Sequence, residues 1–173
     1  FDLPVLSAAM DSVTSPATAI EIGRLGGLGV LNLEGLWTRY DDPTACFDEI
    51  ASLTDGAHAT CRLQELYSAP VIESLVAARV AEIRAAGMTT AGAVTPQTAQ
   101  QLLGCIRRAE LDILVIQGTI VSAEHVSRQE EPLNLKTFIR QLDLPVIVHI
   151  RDRDDQVAAY DDVARILAEV AGV

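Results

Sequence analysis

Short runs of aliphatic residues recur along the chain, and segments with helical spacing of apolar residues separate them. The runs are rich in Val, Ile and Leu and show no strict alternation of apolar and polar positions. This pattern predicts strands that are buried on both faces of a parallel sheet. The predicted strands are Leu3–Leu6, Leu28–Leu33, Thr89–Val94, Asp112–Ile116 and Leu144–Ile150.

Helices are predicted between these strands, and several begin with the same signal. A residue with a capping side chain stands before a proline, which predicts an N-cap followed by proline at the first helical position. The signal occurs at Ser15-Pro16, Asp42-Pro43 and Thr95-Pro96. Apolar spacing predicts further helices over Ile72–Ala86, around Leu135 to Leu142, and over Val157–Val170. The segment Ala51–Ser68 lacks such a pattern and is predicted to be an irregular connection.

Strands that alternate with helices predict a parallel α/β architecture, either an open doubly wound sheet or a (β/α)8 barrel. The 173 residues fall below the ~200 residues of a small complete barrel. A complete protein of this length favours the open sheet, whereas a piece of a longer protein fits a barrel at least as well. Because the first residue is Phe1, we expect a processed, excised or partial chain.

The acidic balance of the chain narrows its range of partners. The formal net charge is −11, so we expect neither nucleic acid nor an anionic membrane as a partner. A small phosphorylated ligand is compatible with this negative charge, because backbone N–H groups bind phosphate without a basic side chain. We expect no membrane span and no secretory signal. The three cysteines, Cys46, Cys61 and Cys105, are odd in number and form no C-x-x-C motif. A reducing, cytoplasmic location is therefore expected.

The stretch "LPVLSAAMDSVTSPATAIEIGRLGGLGVLN" carries a specific motif. A strand ends in P-x-x-S-x-x-M-D-x-V, a helix follows, and the next strand begins G-G-[IL]-G-[VI]. The matching positions are Pro4, Ser7, Met10, Asp11, Val13, Gly26, Gly27, Leu28, Gly29 and Val30. This unit resembles the first βαβ unit of the IMP dehydrogenase/GMP reductase family.

Three further stretches resemble the actinobacterial-type IMP dehydrogenase-related proteins, which lack CBS domains. They are "LNLEGLWTRYDDP", "RLQELYSAPVIESLVAARVAEIRAAG" and "GTIVSAEHVSRQEEPLNLKTFIRQLDLPVIV". The resemblance covers about residues 1–148, and residues 149–173 depart from the family pattern. It implies an α/β fold of the parallel (β/α)8 TIM-barrel type, here incomplete, with about five strand–helix units in a single domain over residues 1–173.

The resemblance implies an oxidoreductase that acts on a purine nucleotide of the IMP/GMP class with NAD or NADP. In that family a cysteine on the loop after the sixth strand attacks C2 of the purine, and hydride moves to or from the nicotinamide. This chain has no G-x-G-P-G-[SA]-x-C-T-T loop, so no catalytic residue is expected in it and it should not turn over alone. The alternative is a non-catalytic α/β scaffold or self-association domain, and unpaired strand edges favour a homo-oligomer.

The resemblance also implies roles for particular residues. Ser7, Ala8, Met10 and Asn32 would contact the nucleotide at the carboxyl ends of the first strands, where barrel sites are built. From the residues alone, Met10 would more often be a core residue. Gln117, Gly118 and Thr119 follow the fourth strand, where the dehydrogenases carry Asp-Ser-Ser against the dinucleotide. Gln117 departs from that pattern, and a Gly-Thr turn is also ordinary loop chemistry.

The remaining reactive side chains suggest structural roles. His58 and His125 have no partner at metal-ligand spacing, so no metal site is expected and both are predicted at the surface. Cys46 and Cys105 fall on predicted helices and are expected to be buried thiols. Cys61, beside Arg62, is the cysteine for which a lowered pKa is conceivable, and we expect it to be structural.

Overall fold

The computed structural model describes residues 2–118, 124–125 and 133–150. Its central element is a four-stranded sheet in which every neighbouring pair of strands is parallel. In their order across the sheet, the strands are β1 (Val30–Asn32), β2 (Ala91–Val94), β3 (Ile113–Gly118) and β6 (Val146–Ile150). A separate antiparallel pair is formed by β4 (Glu124–His125) and β5 (Leu133–Asn134). Sequential parallel strands are the arrangement of a (β/α) barrel, so the predicted fold class is confirmed.

The first predicted strand, Leu3–Leu6, joins this sheet through a single parallel bridge between Leu6 and Leu28. Leu28 N donates to Val5 O at 2.9 Å, and Ser7 N donates to Leu28 O at 2.9 Å. The expectation of burial on both faces is wrong here, because Leu3, Val5 and Leu6 are 47%, 56% and 47% exposed. These residues form the open edge of the sheet, where no further strand covers them within the described residues.

Helices cover one face of the sheet. They are α1 (Pro16–Arg24), α2 (Thr44–Ser52), α3 (Gly56–Ser68), α4 (Glu73–Ala85), α5 (Pro96–Ala109) and the short α6 (Leu135–Ile139), with a 3-10 turn η1 (Leu36–Thr38) after β1. Helix α4 packs against both α1 and α5. Helix α1 approaches the sheet at Gly29, where a Cβ would lie 2.4 Å from Ala19 Cα. The predicted helix Val157–Val170 lies outside the described residues.

The predictions for the segment Ala51–Ser68 and for the side chain of Thr95 are wrong. The segment predicted to be irregular contains α3, which begins after Asp55, whose carboxylate accepts from the N–H groups of Ala57 and His58. Only Leu66 of this helix is buried, so no apolar stripe marks it in the sequence. Thr95 is the N-cap of α5, yet its side chain does not cap the helix.

The N-terminal prolines also differ from one another. Ser15 Oγ accepts from Thr18 N at 3.0 Å, and Pro16 begins α1 as predicted. Pro43 instead occupies the N-cap of α2, one position earlier than predicted. The Asp42 carboxylate still accepts from Thr44 N at 3.0 Å, so the acidic side chain supports the first turn.

The core lies on both faces of the four strands. The helix-covered face holds a large cluster that includes Leu31, Leu114 and Ile116. The opposite face holds a smaller cluster made of Ala9, Leu28, Val30, Ala91, Ala93 and Val115, with Ile113 and Ile147 packed against it. Successive residues of each strand therefore face different clusters, which explains the lack of polar alternation in the sequence.

Within the described residues, no helix combines the length and the apolar character that crossing a bilayer requires.

Candidate functional site

The carboxyl ends of the parallel strands meet at one end of the sheet, and the loop after Leu6 begins there. Ser7 Oγ accepts a hydrogen bond from the buried Val30 N at 2.8 Å, in the place where the next carbonyl of a strand would accept. Thr14 Oγ1 lies 2.9 Å from Ser7 Oγ and donates to Ala8 O at 2.7 Å. The Ser7 side chain thus ends the pairing and lets the chain leave the sheet at Ala8.

Met10 lies at the tip of this loop. Val13 N and Thr14 N both donate to Met10 O, at 2.9 and 2.8 Å, so the backbone of Met10 is held in a tight turn. Its side chain is 51% exposed, which shows that Met10 is not the core residue that its type alone would favour. The Met10 side chain is therefore accessible at the carboxyl end of the first strand, which is the end at which (β/α) barrels bind their ligands.

Asn32 ends β1 on the same face of the sheet as Val30. In the strand register Asn32 is paired with Ala93, and Ala93 is paired with Val115, so these residues form one layer. Asn32 Oδ1 accepts from Glu34 N at 3.0 Å. Within the described residues Nδ2 of Asn32 has no hydrogen-bond partner, and the amide can donate to a ligand.

Glu34 is the next polar residue at this end of the sheet, and it is engaged inside the protein. Its carboxylate accepts from Thr95 N and from Thr95 Oγ1, the latter at 3.2 Å. Glu34 thereby links the end of β1 to the N-terminus of α5. This carboxylate occupies the positive end of the helix dipole, which explains why the Thr95 side chain is not needed as a cap.

A cleft of about 400 Å³ opens between the Met10 loop and the pair of helices α2 and α3. It is lined by Ala9, Met10, Asp11, Ser12, Asn32, Leu36, Phe47, Ile50, Leu63 and Tyr67. Mostly apolar walls with a few polar groups are typical of a small-molecule site. The structure therefore brings Met10 and Asn32 to one cleft, whereas Ser7 and Ala8 do not line it.

Asp11 is the residue of this site that the sequence interpretation did not single out for a role. It is 8% exposed; its Oδ2 accepts from Leu36 N at 2.9 Å and from the Tyr67 hydroxyl. The other oxygen, Oδ1, is buried without a hydrogen-bond partner among the described residues. It faces Gly35, where a Cβ would lie 1.9 Å from it. Asp11 is the acidic residue of the M-D-x-V motif, and this motif is the sequence feature that could have indicated its role.

Burial dominates the electrostatics of Asp11. Desolvation raises the pKa of its carboxyl above the ordinary 3.8, although hydrogen bonds from Tyr67 and Leu36 and the charge of Arg39 act in the opposite direction. Burial and the neighbouring carboxylate raise the pKa of the Tyr67 phenol, so the phenol keeps its proton and donates. The Arg39 guanidinium lies 5.7 Å from the centre of the Tyr67 ring.

The residues predicted for the dinucleotide stand two strands away from Asn32. Gln117 and Gly118 end β3, where they are paired with His149 and Ile150 of β6. Gln117 is half-buried and has the same strand parity as Val115, so it faces the side of the sheet that Asn32 faces. Thr119 lies outside the described residues.

Among the described side chains, the three cysteines and His58 do not line this cleft. Cys105 is buried, and burial raises the pKa of its thiol, while Cys46 is half-buried. Cys61 is exposed on α3, and its neighbour Arg62 is paired with Glu49 at 2.7 Å and Glu65 at 2.8 Å. His58 is exposed, as predicted, and the side chain of His125 lies outside the described residues.

Comparisons with known proteins identify similar oxidoreductases. No family model matches the chain. It is 52% identical over 154 residues to an uncharacterized oxidoreductase of Mycobacterium tuberculosis, and 50% identical over 154 residues to one of Mycobacterium leprae. Each match covers 85% of this chain, and the chain spans 40% of the length of these relatives.

A solved structure is also similar to this chain. The crystal structure of an IMP dehydrogenase/GMP reductase-like protein from Corynebacterium glutamicum matches with a TM-score of 0.81 and 39% sequence identity, over 94% of this chain and 43% of that one. The resemblance to the IMP dehydrogenase/GMP reductase family, noted above from the M-D-x-V and G-G-L-G-V motifs, is therefore confirmed in both sequence and fold.

Proposed function

We propose that this chain forms the first strands of the barrel of an IMP dehydrogenase-related purine nucleotide oxidoreductase, and that the Met10 cleft is part of the nucleotide site. The observation that carries the proposal is the exposed Met10 side chain, which shares an apolar cleft with the Asn32 amide at the carboxyl ends of parallel strands. The similarity to an IMP dehydrogenase/GMP reductase-like protein of known structure supports it.

The proposed nucleotide contacts divide into direct and supporting ones. Met10 would pack against the purine or ribose, and Nδ2 of Asn32, which has no partner among the described residues, would donate to a nucleotide oxygen or ring nitrogen. The small, exposed Ala8 leaves room for the ligand beside the loop. Because the Ser7 hydroxyl accepts from Val30 N, Ser7 would act through the position of the loop.

A nicotinamide dinucleotide, NAD or NADP, is the cofactor that this class of reaction uses. Gln117, Gly118 and Thr119 are the residues of this chain that we propose for it. The described part fits incompletely, since the Gln117 amide lacks the negative charge with which a carboxylate binds ribose hydroxyls. We propose that catalysis depends on segments other than residues 1–173.

Further aspects of the proposal concern the whole protein. We propose one domain over residues 1–173, a cytoplasmic location and assembly into a homo-oligomer. The free thiols of Cys46, Cys61 and Cys105 support the reducing location. The exposed apolar edge of the sheet supports assembly, because an open edge offers unpaired backbone groups to another chain.

A ligand titration of the full 173-residue chain tests the nucleotide site. We expect about 1 mM IMP or GMP to raise the melting temperature by roughly 3–6 °C if the ligand is at tenfold its Kd. UMP, which carries the same ribose phosphate and no purine, is the matched control and should shift it much less. No shift with IMP and GMP, or an equal shift with UMP, would contradict the proposal.

A self-association domain is the second candidate. The exposed side chains of Leu3, Val5 and Leu6 at the sheet edge favour it. In that case the chain would form a concentration-dependent dimer that Val5→Lys disrupts, with no response to IMP. Sedimentation velocity of both proteins, with and without IMP, separates the two functions.

A further inference from the structure

Asp11 connects three segments around the cleft. It follows Met10 in the loop, its Oδ2 accepts from Leu36 N at 2.9 Å in the turn after β1, and the same oxygen accepts from Tyr67 on α3. The Trp37 indole N–H also donates to Asp11 O at 3.4 Å. The conformation of the residue next to Met10 is therefore set by groups from outside its own loop.

Tyr67 is the point at which the helix pair α2 and α3 reaches this loop. Helix α2 has no buried residue, and α3 buries only Leu66, so apolar packing holds the pair weakly. Polar contacts supply the attachment at the end of α3: Tyr67 donates to Asp11, Tyr40 Oη donates to Leu66 O at 3.0 Å, and Arg39 donates to Ala69 O. Of these contacts, only that of Tyr67 reaches the Met10 loop.

We propose that Asp11 and Tyr67 form a positioning pair that fixes Met10 at the mouth of the barrel, so that nucleotide affinity depends on the hydrogen bond between them. Asp11 and Tyr67 act through Met10, and the inference rests on the proposed nucleotide role of Met10. The environment of Asp11 agrees with a dedicated function. A buried carboxylate oxygen without a hydrogen-bond partner among the described residues is costly, and Gly35, which has no Cβ, leaves the space that this oxygen occupies.

Two matched tyrosine variants of the full chain test the pair. Tyr67→Phe removes the hydroxyl that donates to Asp11, and Tyr40→Phe removes one that holds the same helix end without contacting Asp11. Amide hydrogen exchange of Val13 and Thr14, whose N–H groups donate to Met10 O, reports the loop conformation without any nucleotide. We expect exchange of both amides to accelerate about tenfold in Tyr67→Phe and less than about twofold in Tyr40→Phe.

Ile106, in the centre of the buried core of α5, provides the internal control for global stability. Unchanged exchange at Val13 and Thr14 in Tyr67→Phe would overturn the inference. An equal acceleration in both variants, or one that Ile106 shares, would overturn it as well, because either result describes general loosening.

IMP affinity supplies the functional half of the test. If the Met10 loop keeps its binding conformation for only about a fifth of the time, the apparent Kd rises about fivefold in Tyr67→Phe and stays near the wild-type value in Tyr40→Phe. Loosened amides with unchanged IMP affinity would overturn the positioning role while leaving the nucleotide site intact. Absence of IMP binding by the wild-type chain would contradict the proposed function instead, and the exchange measurement would still decide whether the pair holds the loop.

Discussion

Gly35→Ala is a single-methyl change that probes the Asp11 pocket directly. Gly35 has φ −86° and ψ −173°, a conformation that alanine adopts without strain. The added Cβ would lie 1.9 Å from Asp11 Oδ1, and contacts under 3.0 Å require a neighbouring atom to move. The carboxylate must therefore withdraw by roughly 1 Å, and Leu36 N and Tyr67 then lose their acceptor.

The expected cost follows from those two hydrogen bonds. Each hydrogen bond to a charged group contributes roughly 1.5–3 kcal/mol, and replacement of glycine returns about 0.4–1 kcal/mol through the unfolded state. We expect Gly35→Ala to lower the free energy of unfolding by about 2–5.5 kcal/mol. Urea denaturation followed by Trp37 fluorescence measures this loss as a lower midpoint at an unchanged m-value.

Gly56→Ala is the matched control, because a Cβ at Gly56 has no neighbour within 4 Å. It should leave stability unchanged or raise it by up to about 1 kcal/mol. In the double variant with Asp11→Ala the clash is absent, so the effects of Gly35→Ala and Asp11→Ala should not add. Loss of less than about 1 kcal/mol in Gly35→Ala, or full additivity with Asp11→Ala, would refute the reasoning.

Three further predictions concern the same end of the molecule and its packing. Ser7→Ala leaves the buried N–H of Val30 without its acceptor and should cost about 1–3 kcal/mol by urea denaturation. Gly29→Ala places a Cβ 2.4 Å from Ala19 Cα in α1 and should cost about 1–3 kcal/mol or more in the same assay. Because the pKa of Asp11 is raised in the folded state, its contribution to stability is present below 3.8 and is lost as the pH rises through the folded pKa. Asp11→Asn should remove that part of the pH dependence, and identical pH profiles of both proteins would contradict it.

Four predicted strands agree with the structure because burial on both faces leaves short segments of mainly apolar residues without polar alternation. The run Asp112–Ile116 corresponds to β3 at Ile113–Gly118, and Leu144–Ile150 corresponds to β6 at Val146–Ile150. The end of β3 was predicted too early because Gln117 and Gly118 interrupt the apolar pattern. Their pairing with β6 extends the strand, and a partner far away in sequence does not register in local composition.

Helix α3 is a helix that the pattern of apolar residues did not predict. Its residues include Leu63 and Leu66, but most of its surface is exposed, so no apolar period separates it from a loop. The Asp55-Gly56 start was a capping signal that the pattern of apolar residues did not support. Periodicity detects helices that pack on a core, and α3 is held largely by hydrogen bonds at its end.

The candidate site was predictable as far as the motif extended. Met10 and Asn32 lie near the carboxyl ends of predicted strands and both line the cleft. Their contact with a nucleotide stays a prediction. The engagement of Ser7 with Val30, and the burial of Asp11 against Gly35, depend on contacts between residues more than 20 positions apart, which spacing alone does not reveal. The motif identified the segment, whereas the fold determines which groups each of its side chains contacts.

The central claim is that the Met10 cleft receives a purine nucleotide, and the methionine methyl groups test it most directly. The chain has two methionines, Met10 at the mouth and Met88 beside Gly23 at a distance from the cleft, so 13C-methyl labelling gives a reporter and an internal control. On titration with IMP the account predicts a saturable shift of the Met10 methyl signal and a stationary Met88 signal. A Met10 signal that does not move, or that moves in parallel with Met88, would contradict it.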